Sequence, residues 1–126
     1  MNSAISEFTD DELASIQAQV HKRWGLGKVE LIRADVEVLL NPGDGAPTTC
    51  PAVFWQADEC SFVVQKTGAW RYRCNFFYDD MHQYGTGVPE YDDLETCTLT
   101  LLRMQADEHS VRSGAFPEDT DKARKP

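Results

Sequence analysis

The chain has 126 residues, 41% hydrophobic and 26% charged, enough for one domain that buries a real core without staples. Lys and Arg total 12 against 21 Asp and Glu, and the net charge of −9 argues against nucleic acid or an anionic membrane as direct partner, since both need clustered cations. No apolar run reaches the length of a membrane span. Met1 to Glu7 lacks the basic and apolar parts of a secretory signal. Cys50, Cys60, Cys74 and Cys97 form no C-x-x-C pair, so a cytoplasmic protein with buried free thiols is expected.

Phe8-Thr9-Asp10-Asp11-Glu12-Leu13 carries a helix start: Thr9 as N-cap, Glu12 closing a capping box, Phe8 and Leu13 as flanking staple. Asp10 and Asp11 suit the positive end of the helix dipole. Leu13, Ile16, Val20 and Trp24 then mark one narrow apolar face, interrupted by Gln17, and Gly25 is a natural stop. His21 reads as a solvated helix residue. From Lys28 to Leu40 the chain alternates as a strand, with Ile32, Ala34, Val36, Val38 and Leu40 on one face and Arg33, Asp35 and Glu37 on the other. Asn41 to Pro47 is dense in turn residues and reads as a hairpin loop, without the Lys of a phosphate-binding loop.

Cys50–Ala57 and Cys60–Lys66 read as two further strands around a turn at Asp58-Glu59. Ala69 to Tyr78 is the clearest strand: Trp70, Tyr72, Cys74, Phe76 and Tyr78 alternate with Ala69, Arg71, Arg73, Asn75 and Phe77. Turn chemistry suggests a loop of Lys66-Thr67-Gly68 with Gly68 left-handed, opposing Val64 to Trp70, Phe62 to Tyr72 and Cys60 to Cys74. Trp70, Tyr72 and Cys74 are then expected to pack on Leu13, Ile16 and Val20. Asp79 to Glu90 reads as a loop. Thr96 to Leu101 alternate as a strand would, but Tyr91, Leu94, Cys97, Leu101 and Met104 fit one helical face, and a helix from Asp92 to Val111 is favoured, capped by Asp92. The fold expected is a two-layer α+β domain over residues 1–114. A four-stranded antiparallel meander lies between an N-terminal and a C-terminal helix, both packed on one sheet face, and 115–126 form a disordered tail.

Three groups of residues are candidates for function. Asp79, Asp80, Glu90, Asp92, Asp93 and Glu95 concentrate acid in a stretch free of Lys and Arg, with His82 among them, and suit a basic protein partner. No calcium-loop or zinc spacing is present, so neither a metal nor a cofactor is expected. Arg71, Arg73 and Phe77 share the sheet face turned away from the helices, a candidate homodimer face if Asp35 and Glu37 do not balance the arginines. Trp70, Tyr72, Tyr78 and His82 line a candidate small-molecule pocket between sheet and helices. No nucleophile motif appears, and His82 beside Asp79 and Asp80 is a weak acid–base signal. The reading favoured is an accessory protein acting by protein–protein binding, and the alternative is a small-molecule binder or enzyme using that pocket.

Overall fold

The computed structural model describes residues 5–39, 43, 45–79 and 82–113. Leu40, Asn41, Pro42, Asp44 and Asp80, the side chain of His82, and the tail expected at 115–126 lie outside the described residues. Helix α1 spans Asp10–Trp24. The Thr9 hydroxyl accepts from the Glu12 N–H at 3.1 Å, and Glu12 Oε1 accepts from the Thr9 N–H at 2.7 Å. Both halves of the capping box therefore form. The helix ends where Gly25, at φ +108°, donates its N–H to the His21 carbonyl at 2.8 Å, a conformation that disfavours any side chain.

Five strands follow, β1 Ile32–Val38, β2 Thr48–Ala57, β3 Cys60–Gly68, β4 Arg71–Asp79 and β5 His82–Gly85, before helix α2 at Leu94–Ser113. The sheet is antiparallel throughout, in the order β1-β2-β3-β4-β5. The fold is thus the α+β meander expected, with five strands rather than four. The extra strand, β5, is short and unalternating, and it exists because the β4 edge from Asn75 to Asp79 supplies it with partners.

The β2–β3 turn is Asp58-Glu59, with φ of +56° and +63°. Two left-handed residues match the twist of the flanking strands. The β3–β4 register differs from expectation. Val64 opposes Cys74, Phe62 opposes Phe76 and Lys66 opposes Tyr72, with a bulge between Lys66 and Gly68. The left-handed residue is Trp70, at φ +59°, and Trp70 is 72% exposed rather than buried in the core. Such a conformation costs a non-glycine residue on the order of 1–3 kcal/mol. What offsets it is a longer hairpin. The shift is even, so Tyr72 to Tyr78 keep the faces that their parity assigned, while Trp70 leaves the strand for the turn.

Even-numbered residues of β3 and β4, with Val53 and Trp55 of β2, face both helices. Trp55 and Phe62 stack at 5.2 Å between centroids, Trp24 meets Phe62 edge-on at 5.4 Å, and Phe76 stacks on Tyr84 at 5.2 Å. Val20, Ile16, Cys97 and Leu101 close this layer from the helices with no exposure at all. Truncating one such aromatic to Ala costs about 3–5 kcal/mol. Among the described residues no helix lies over the opposite face; Cys50, Ala52 and Val63 are buried there, while Phe54 and Phe77 are half-buried. No helix among the described residues is long and apolar enough to cross a membrane.

Candidate functional site

Burial is unusual at Lys66, which is 5% exposed on the helix-facing side of β3. Its Nζ donates to Glu12 Oε1 at 2.9 Å and to the Glu7 carbonyl at 3.1 Å. The Tyr72 hydroxyl donates to the other oxygen, Glu12 Oε2. Glu12 therefore serves the helix cap and the sheet at once. Burial alone would raise its pKa; hydrogen bonds from Tyr72, the Thr9 N–H and Lys66 outweigh that and hold it below the ordinary glutamate range. Burial, then the bond to Glu12, pushes Tyr72 up. A lysine at the end of an alternating strand looks like an exposed residue in sequence, and only its register opposite Tyr72 marks it as buried.

Two of the acidic residues, Glu90 and Asp93, are engaged within the chain. Glu90 lies over the open sheet face. It accepts from the Thr67 hydroxyl at 2.7 Å, from Arg71 Nε and Nη2 at 2.9 and 2.6 Å, and from Arg73 Nε at 3.3 Å. Those donors outweigh its burial and depress its pKa. They also show that Arg71 and Arg73 are balanced by Glu90 rather than by Asp35 and Glu37. Asp93, not Asp92, caps α2, accepting from the Thr96 hydroxyl at 2.5 Å and the Thr96 N–H at 2.9 Å, which lowers its pKa. Asp79 ends β4, exposed, while Asp92 and Glu95 stand exposed at the start of α2. Among the described residues no group of three or more His, Cys, Asp or Glu side chains could hold a metal ion.

Nor do the pocket residues converge. Trp70 points out from the β3–β4 turn, Tyr72 is 1% exposed with its hydroxyl on Glu12, and the Tyr78 hydroxyl accepts from Gln105 Nε2 at 3.2 Å. Cys74 lies beside Cys97, its Sγ 3.7 Å from the Cys97 carbonyl. Their contact, with burial, pushes the Cys97 thiol up, away from reactivity at neutral pH. Cys50, on the other face, is likewise raised by burial, with the Arg73 guanidinium pulling the other way.

The concavity that the helices build lies on their outward side. Helices α1 and α2 run in the same direction: Gln19 Nε2 donates to the Glu95 carbonyl at 3.0 Å, and one turn on Arg23 Nη1 donates to the Leu102 carbonyl at 2.7 Å. Arg23 also binds Asp58 at 3.0 Å and the Gln105 side chain, and its guanidinium lies 4.5 Å over the Trp24 ring. Between the helices opens a groove of about 470 Å³. Leu99, Leu102 and Ala106 give it an apolar floor, Lys22, Arg23 and Arg103 a basic rim, and Glu95 and Gln19 mark its other end. Leu99 is 46% exposed there. Sequence periodicity missed this site because its two walls come from distant segments, and Leu99 belongs to the stripe that the helix reading of α2 left outside its buried face.

The fold defines a two-layer α+β domain in whose interior Glu12 binds Lys66 and Tyr72, and Gln105 binds Tyr78, while the buried indole N–H groups of Trp24 and Trp55 lack a hydrogen-bond partner among the described residues. Neither protein-family models, curated proteins nor solved structures match this chain.

Proposed function

We propose that this protein works by binding another protein, and that the partner inserts a segment into the α1–α2 groove. The observation that carries the reading is the groove itself, an apolar floor with basic residues on one rim and acid at the other end, on a layer whose inward side is already packed. An amphipathic helix laid along such a groove places apolar anchors on Leu99 and Leu102. Acidic partner residues meet Lys22 and Arg103, and a basic one meets Glu95. The basic partner suggested by the net charge is accommodated at that acidic end, and the charges there govern capture speed more than strength. A small-molecule site between sheet and helices finds less support, because the tyrosine hydroxyls that would line it are engaged with Glu12 and Gln105.

The test is capture from an extract of the producing cells by wild type, Leu99→Glu and Arg103→Glu, with bound proteins identified by mass spectrometry. Both positions are exposed, so the fold is expected to persist, with circular dichroism as the check. The reading expects a partner held by wild type and lost by Leu99→Glu. Equal recovery by all three would overturn it.

A further inference from the structure

β1 is a sheet edge: among the described residues it pairs with β2 alone, leaving one row of backbone donors and acceptors open. The strand is exposed from Ile32 to Asp35, and Ile32, a large apolar residue, is 54% exposed. We infer that this edge pairs antiparallel with the same edge of a second copy, joining two five-stranded sheets into one continuous sheet.

The charges on the strand select the register. For the two sheets to continue with their helices on the same side, odd residues must oppose odd and even oppose even. With Asp35 on the two-fold axis, Arg33 opposes Glu37 twice, but Asp35 meets its own copy at the centre. With Val36 on the axis, Asp35 meets Glu37 twice. Directly opposed like charges destabilise a sheet. With Ala34 on the axis, Arg33 opposes Asp35 of the second copy, and symmetry makes that pair twice. Ile32 then opposes Val36, which covers the exposed apolar side chain, and the smallest residue of the strand sits where two identical side chains must meet. Glu37 falls diagonal to Arg33 of the other copy. Charged residues on an edge usually deter pairing. Here the register centred on Ala34 is the one of the three in which opposite charges pair and no like charges are directly opposed. The interface is isologous and closes at two copies, so it does not propagate. It lies on β1, away from Arg71, Arg73 and Phe77, and it is independent of the groove reading above.

Sedimentation velocity over a concentration series reaching high micromolar provides the test, with circular dichroism confirming the fold of each variant. Wild type is expected to dimerise. Arg33→Asp and Asp35→Arg each place like charges opposite one another twice, and each should weaken the dimer by about tenfold or more. Mixing the two single variants should restore association as a heterodimer, because each then supplies what the other lacks. Ala34→Cys should form a disulfide-linked dimer under mild oxidation, whereas Val36→Cys should not. A wild type that stays monomeric overturns the inference. So does a dimer that neither charge reversal weakens, or a Val36→Cys chain that cross-links as readily as Ala34→Cys.

Discussion

Replacing Glu12 with Ala should remove a large share of the stability of this domain. The substitution deletes the acceptor of the Tyr72 hydroxyl, in a residue only 1% exposed, and leaves the Lys66 ammonium with the Glu7 carbonyl alone. It also breaks the reciprocal half of the capping box. Loss of the box is worth about 1 kcal/mol, an orphaned buried hydroxyl about 1–3 kcal/mol, and breaking a buried ion pair about 3–5 kcal/mol. These overlap, because one carboxylate serves all three, so the expected loss is about 3–5 kcal/mol out of a total of about 5–15. Urea titration followed by tryptophan fluorescence measures it, since Trp55 is wholly buried. Lys66→Met in the Glu12→Ala background should cost less than in wild type, because the ammonium no longer has a carboxylate to lose. The pH dependence follows. The folded pKa of Glu12 lies below the ordinary 4.5. Its contribution is therefore complete above about pH 4.5 and is lost as pH falls through the folded value. Glu90 adds to the same acid limb, and Glu12→Ala should flatten its own part. A loss below about 1 kcal/mol, or strict additivity of the two substitutions, would refute the argument.

Trp70→Ala should cost almost nothing in the same assay, because the ring stands in solvent, whereas Trp55→Ala should cost about 3–5 kcal/mol; equal costs would contradict the β3–β4 register. Glu59→Gly should stabilise the domain by about 0.5–1 kcal/mol, since it turns the β2–β3 connection into Asp-Gly at a left-handed position while leaving the Asp58–Arg23 pair intact. A lowered urea midpoint for that variant would argue against the turn.

Local signals were legible where one segment satisfies itself. The capping box of α1, the stop at Gly25 and the turn at Asp58-Glu59 all depend on residues a few positions apart, and all form. The face of α1 was legible through Ile16 and Val20, and that of α2 in part, since Leu94, Cys97 and Leu101 are buried while Met104 is exposed and Thr98, Leu102 and Gln105 are buried in its stead. The β3–β4 register was not, because the Gly-in-turn rule favours Gly68, while tertiary contacts between Tyr72, Lys66 and Glu12 favour a left-handed tryptophan. β5 carries too little apolar alternation to be read, and it forms only against an edge already built. The acidic stretch illustrates the limit for sites. Clustering in sequence gave Glu90, Asp93 and Glu95 one role, but the chain turns between them, and the first neutralises two arginines while the second caps a helix.

Helix α1 is made before the sheet, and the residues of α2 that complete its packing are made after it. Arg23 reaches Leu102 and Gln105 across separations of 79 and 82 residues, while each strand of the meander waits only for the next. At about 5–20 residues per second, roughly 4–16 s pass on the ribosome before α2 exists to receive α1. Through that interval Ile16 and Val20 have at most the growing sheet to shelter them. A narrow stripe, broken by Gln17 and flanked by an acidic first turn, is a helix face that a nascent chain can leave uncovered for seconds without recruiting its neighbours on the same message.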